Sequence, residues 1–443
     1  MRLALVSLLV LGLMAPVSAP AQECIWQAGW VKAENAKAGN KNWDSDVVMR
    51  FSADFTRRKE AKRVEGYFDQ ASIGCGQSAS LKIMGARSVD VSLYRIGYYK
   101  GAGARLITTI KNAKQITATQ STPPGQYLVK LKSLGYRSTF VPLVITGQVP
   151  SDVTFVSSVL TWQAYNQWGG ESLYKGADGQ RETRAISVSL DRPYDGDGSG
   201  QFRYMEQPLV QLMEQLNLDI NYLTDIDLDK APEINSASIV LGGHSEYWTQ
   251  AMRDVVEKEI YEGTNLLVFG GNTAYAKTFL IDRTMNERIP YRDINQPESL
   301  FMGSQFFAMG IKKDLEVQAA QSWPFDTLGK AGKIKGIYGY EADTAMGTIG
   351  PGVEVLARST ISPTEKGFVA MSTYYAAPSG AGVLNLGTNA WVCAMANRCP
   401  WGHSFDAKTM QQIRKVTTAI IEQAGREKIG NWRVPQIDIP TRP

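Results

Sequence analysis

Of the two histidines in this 443-residue chain, one stands two residues ahead of a carboxylate: His244 and Glu246 in "GGHSEYW", residues 242–248. An imidazole can carry a proton near neutral pH, and a glutamate beside it can serve as a base or a metal ligand. Three more segments place polar side chains directly after apolar runs: Tyr165 and Asn166 in "QAYN", Asp225 in "YLTD", and Asn272 in "GGN". Together they offer oxygen donors, a proton carrier and a carboxamide, the raw material of acid–base or metal chemistry. Each also has a structural reading. A lone histidine is often a hydrogen-bonded fixture, and asparagine is a common turn former. The convergence of four polar segment ends favours a site.

Such residues need elements that end together. After Gly147 the chain alternates continuous apolar strands with amphipathic helices. Strands are expected at 152–160, 218–224, 237–241, 265–271 and 382–388, with a long loop after the first. Helices are expected at 204–216, with Leu209, Leu212, Met213 and Leu216 on one face, and at 248–263, with Met252, Val255, Val256 and Ile260. A last helix, roughly 406–424, turns Ile413, Val416, Ile420 and Ile421 inward. This pattern predicts a three-layer α/β domain, Rossmann-like or amidotransferase-like, over residues 149–430, with a mostly parallel sheet covered on both faces. In such sheets ligands collect beyond the carboxyl ends of the strands. Right-handed crossover makes the strands before His244 and Asn272 parallel, so both ends face one rim. The pairs Gly242-Gly243 and Gly270-Gly271 would let a ligand or a neighbouring backbone approach closely.

Residues 45–147 have another texture. Short β-branched runs such as "VDVSLYRIG" and "TFVPLVITG" are separated by "YKGAGA" and "STPPGQ". They predict an antiparallel, immunoglobulin-like β-sandwich over 22–148. The overall class is therefore α+β and multi-domain, closing on a tail at 431–443.

Net charge is +4 with both signs mixed, which leaves no electrostatic footprint for nucleic acid. Arg2, the apolar run 3–14 and Ala19-Pro20-Ala21 have the grammar of a secretory signal peptide, cut before Gln22. That run is too short to span a bilayer. A soluble periplasmic or secreted protein is expected, and in that setting the four cysteines read as disulfides, with Cys24–Cys75 and Cys393–Cys399 the preferred pairing.

Six motifs then occur in order: "YRIGYYKGAGAR", "TWQAYNQWGGESLY", "SLDRPYDG", "YLTDIDLD", "GGHSEYW" and "FGGNTAYA". Over roughly residues 89–280, and more weakly at "GTNAW" (387–391), the chain resembles the C-terminal part of the large (beta) subunit of N,N-dimethylformamidase and its relatives. That resemblance implies hydrolysis of a small amide at a mononuclear iron held by two tyrosines and a glutamate, with a histidine and an asparagine close by. The glutamate falls on Glu246, the histidine on His244, the asparagine on Asn272 and one tyrosine on Tyr165. The second tyrosine falls on Tyr127 in "PPGQYLVKL", with Tyr98 and Tyr99 in "GYYKG" competing. Asn166 and Asp225 would support these from behind.

The implied ligand set is coherent as chemistry. Phenolates and a carboxylate are hard anionic donors that suit Fe(III). Ionising a tyrosine of pKa ~10 at pH 7 costs about 4 kcal/mol, which points to a trivalent ion. His244 would pass a proton to the leaving amine, and Asn272 would donate to the oxyanion.

Other signals are weaker. "DGDGSGQFRYME" matches a calcium loop through Asp195, Asp197, Ser199, Gly200 and Glu206. No helix precedes it, so a solvated turn capping the next helix is preferred and calcium is the alternative. No Gly-x-Ser-x-Gly elbow, phosphate loop or dinucleotide motif follows a strand, and Ser245 beside His244 and Glu246 is poorly placed for a triad. The rival class is a secreted glycan- or envelope-binding module without catalysis. Oligomeric state is not readable from the sequence.

Overall fold

The computed structural model describes residues 24, 26–51, 62–147, 151–318, 323–345, 352–359 and 369–436. The expected signal peptide, residues 1–21, lies outside them. Both disulfides form, Cys24–Cys75 with Cα atoms 5.6 Å apart and Cys393–Cys399 with 4.9 Å.

The first part contains two facing sheets. One has five strands, in the order Ser72–Ile73, Thr139–Ile145, Gly125–Lys132, Asp90–Ile96 and Ala104–Lys111; the other has three, Glu65–Phe68, Ser78–Met84 and Gln115–Thr117. Pairing is antiparallel except for Ser72–Ile73, which runs parallel to Thr139–Ile145. Alternating residues such as Val91, Leu93, Val129, Leu131, Val141 and Leu143 fill the space between the sheets.

The second part is organised by a nine-stranded sheet. Ile220–Thr224, Val153–Ser157, Ser238–Leu241, Asn265–Val268 and Gly382–Asn385 pair parallel in that order. Both faces are covered, and the alternation along single strands shows it. Ile239 and Leu241 enter one core with Met252, Val256 and Ile260 of helix Gln250–Glu262. Val240 enters the other core, with helices Gln207–Gln215 and Ala407–Ala424. Thr249 caps the start of helix Gln250–Glu262, and Gly263 at φ 108° ends it in the left-handed region.

The expectation of a mostly parallel sheet needs correction. The next four strands, Met371–Ala376, Glu354–Ser359, Lys313–Val317 and Lys333–Tyr338, all pair antiparallel. Antiparallel neighbours, unlike parallel ones, need no crossover helix between them. The hairpin Ala276–Ile281/Thr284–Pro290 and the pair Gln305–Met309/Glu341–Thr344 build further small sheets. The expected loop after residue 160 is also wrong at its start, because Val159–Tyr165 is a helix. Between helix Ala407–Ala424 and residue 436 the chain stays on the body: Arg433 pairs with Glu354 at 2.7 and 2.8 Å and lies over the Tyr374 ring, while residues 437–443 of the expected tail lie outside the described residues.

Candidate active site

The glycine pairs explain how two strand ends converge. A Cβ on Gly270 would stand 2.7 Å from the Gly242 carbonyl oxygen and 2.8 Å from that of Gly243. Backbone, rather than ligand, makes the close approach. His244, Glu246 and Asn272 follow these pairs directly, and all three are buried. Asn272 adopts φ 56°, which its short polar side chain tolerates, and its backbone N–H donates to Asp343 Oδ1 at 2.8 Å.

Helix Val159–Tyr165 delivers Tyr165 to the same rim. Asp225 accepts from the Leu160 N–H at its first turn (2.8 Å). Asn166 brackets its end, donating to Gln163 Oε1 and the Pro193 carbonyl and accepting from the Trp168 and Asp195 N–H groups. Both residues act on the helix. Beyond it, Gly169 (φ 85°) and Gly170 (φ 111°) reverse the chain, and Ser172 Oγ accepts from the Tyr174 and Lys175 N–H groups. This brings Tyr174 against Tyr165, their rings stacked at 4.2 Å and 25°.

The result is one buried carboxylate held by two phenols. Tyr165 donates to Glu246 Oε2 at 2.6 Å, and Tyr174 donates to Oε1 at 2.5 Å. Arg288 lies 3.8 Å from Oε1 and 5.0 Å from the Tyr174 ring centroid. His244 Nε2 is 3.6 Å from Glu246 Oε2 and 3.3 Å from Glu341 Oε2. Glu341 is held by Asn389 Nδ2 at 3.0 Å and Asn272 Nδ2 at 3.3 Å. These groups line a cavity of about 350 Å³.

Electrostatics follow from burial. Desolvation raises both phenols well above their ordinary 10, and the Glu246 charge adds to it, so each phenol keeps its proton. Glu246 is raised by burial and by Glu341, against the lowering pull of His244 and Arg288. For His244 burial pulls downward, but Glu341, Glu246 and Asp343 outweigh it and the net direction is up. Asp343, behind Asn272, is raised by burial to about 7.

Tyr127, the expected second tyrosine, does not reach this place. It is buried between the sandwich sheets and donates to the Pro123 carbonyl at 2.5 Å. The competitor Tyr99 donates to Glu34 and accepts from Arg95, and Tyr98 binds Asn35 through its backbone N–H. Tyr174, nine residues after Tyr165 and past a Gly-Gly reversal, is the phenol that sequence reasoning missed. Glu341 had no local signal at all, although its holder Asn389 sits in "GTNAW".

In the segment that matches a calcium loop, the acidic side chains are engaged within the protein. Asp197 accepts from Arg203 Nη1 at 2.8 Å and from Ser199, Asp195 accepts from the Gln167 N–H, and Glu206 accepts from the Ser158 N–H and Trp162 Nε1. The segment docks on the sandwich instead, since the Phe140 N–H donates to the Asp197 carbonyl. Ser245 Oγ accepts from Trp248 Nε1, away from any triad. Among the described residues no group of three or more His, Cys, Asp or Glu side chains is arranged to hold a metal, so a metal here would rest on tyrosine oxygen. The donor set fits that: two phenols already converge on one carboxylate, and both His244 nitrogens and Asn272 Oδ1 are buried without hydrogen-bond partners.

A carboxylate clasped by two phenols at the rim of a mixed sheet, beneath a cavity, defines a candidate functional site on an α+β scaffold. A family described as N,N-dimethylformamidase beta subunit-like, C-terminal, matches residues 111–292 and 281–401, well over half of the chain. The chain belongs to that family. Comparison with curated proteins finds no match.

Proposed function

We propose that the protein is an exported amidohydrolase that splits a carbon–nitrogen amide bond at a ferric ion held by Tyr165, Tyr174 and Glu246. The observation that carries this is the pair of phenol hydroxyls on the two oxygens of a single buried carboxylate, at 2.6 and 2.5 Å. When bound, such an ion supplies Lewis acidity towards the carbonyl oxygen and lowers the pKa of water.

The chain's own groups supply the rest. The net reaction adds water across the C–N bond, hydroxyl to the acyl carbon and hydrogen to the nitrogen. His244, held 3.3 Å from Glu341, carries the proton to the departing nitrogen. Asn272, lining the same cavity, hydrogen-bonds the amide and holds it over the carboxylate. Arg288, 3.8 Å from Glu246 Oε1, offsets part of the carboxylate charge. Export is supported by the two disulfides and by the signal-like N-terminus. Among the described residues no helix is long and apolar enough to cross a membrane.

The test is amine release from a panel of small amides, dimethylformamide included, by the iron-loaded full chain. Release is expected from the wild type and not from Glu246→Gln. No release from any amide, or equal release from both proteins, would contradict the reading.

A further inference from the structure

The cavity over Glu246 is larger than a dialkylated formamide requires. At about 350 Å³ it lies at the lower end of the range of roughly 300–1,000 Å³ that drug-sized ligands occupy. Its walls are aromatic. Tyr340 and Trp401 lie nearly parallel, centroids 5.4 Å apart at 13°, and Phe51 meets Trp401 at 6.1 Å and 63°. A second pair, Tyr275 and Phe306, packs at 5.6 Å and 71°. All five line the cavity, and all five are half-buried, whereas rings inside the cores, such as Tyr222 and Tyr338, are fully covered. The uncovered ring surface is apolar, flat and costly to hydrate.

The wall is also fixed in place. Trp401 follows Cys399, which is bonded to Cys393 in helix Ala390–Ala394. Tyr340 precedes Glu341, whose backbone N–H donates to Asn389 at 3.1 Å. A preformed slot binds without first being ordered.

We propose that the substrate of this site is an amide bearing a planar aryl group, its ring against the Tyr340–Trp401 pair and its amide over Glu246. This rests on the amidohydrolase reading and narrows its substrate class. Titration calorimetry of the metal-stripped full chain with acetanilide and with N-cyclohexylacetamide, which differ in the flatness of the ring, tests it. Acetanilide should bind about threefold to tenfold more tightly. Trp401→Leu should erase that preference, and Trp401→Phe, which keeps a ring, should retain part of it. Equal affinities in the wild type, no binding of either compound, or a preference that survives Trp401→Leu would overturn the proposal. The Tyr165→Phe chain separates the two claims. A ring preference retained there without amide hydrolysis upholds the aryl slot by itself. A preference absent in the wild type that still hydrolyses small amides overturns the slot and leaves the hydrolase standing.

Discussion

Among the described residues two buried tyrosine–glutamate networks are built to opposite ends. In the first, Glu214 receives Arg95 through both oxygens (3.0 and 2.5 Å), Tyr222 at 2.7 Å and Asn35 at 2.9 Å. Arg95 also donates to Tyr99 and to the Pro124 carbonyl. A guanidinium faces a carboxylate and the donors are spent. In the second, Glu246 meets two phenols, the Arg288 guanidinium stands off at 3.8 Å, and the neighbouring His244 nitrogens have no hydrogen-bond partner among the described residues. A buried charge without a matched counter-charge is costly. The Glu214 network ties helix Trp30–Asn35 and the sandwich to helix Gln207–Gln215, whereas the Glu246 network holds an unbalanced carboxylate under a cavity. Residue types alone do not separate the two; satisfaction does.

The largest contrast should come from histidine. His244→Ala should cut amide hydrolysis by about 10²–10⁴-fold, the usual contribution of a general acid, while urea midpoints stay near the wild type. Arg95→Met should do the reverse, destabilising by about 3–5 kcal/mol because Glu214 is left buried and unpaired. Glu246→Gln, by comparison, should shift stability by less than about 1 kcal/mol or raise it. Equal destabilisation by Arg95→Met and Glu246→Gln in the same urea series would erase the distinction drawn above.

A third effect is set by pH. Burial raises Glu206 from its ordinary 4.5 to about 8, so the folded chain keeps a proton that the unfolded chain releases. This contribution to stability is complete below about pH 4.5 and is lost as pH rises through about 8, at up to roughly 1.4 kcal/mol per unit. Stability followed from pH 6 to pH 8 should therefore fall in the wild type and stay flatter in Glu206→Gln. The smallest effect is expected from Glu341→Gln, which loosens His244 without removing a phenol or Glu246. About 10–100-fold in hydrolysis should be lost while iron is retained, as checked by parallel activity and metal assays.

How much of this was legible varies with the range of the interaction. The parallel strands and their helices were readable because burial on both faces writes continuous apolar runs, as in "SIVL" and "NLLV". The antiparallel strands between residues 305 and 376 were not, because "EADT" and "MSTYYA" are buried through polar residues held by partners elsewhere. Asp343, for example, is covered by Asn272 and Asn385. His244, Glu246, Asn272 and Tyr165 could be gathered because each follows a strand or its short helix. Tyr174 depends on a glycine reversal, and Glu341 reaches the cavity from a strand nearly a hundred residues downstream. Tyr127 failed because a tyrosine flanked by alternating apolar residues in a sandwich strand points into that core as readily as out of it.

The proposed metal site is Tyr174 with Tyr165 and Glu246. Iron content and visible phenolate absorption of purified wild type, Tyr174→Phe and Tyr127→Phe measure it directly. Iron with a phenolate band is expected in the wild type and in Tyr127→Phe, and loss of both in Tyr174→Phe. A Tyr174→Phe protein that keeps its full iron and its colour, or a wild type that takes up no iron, would contradict it.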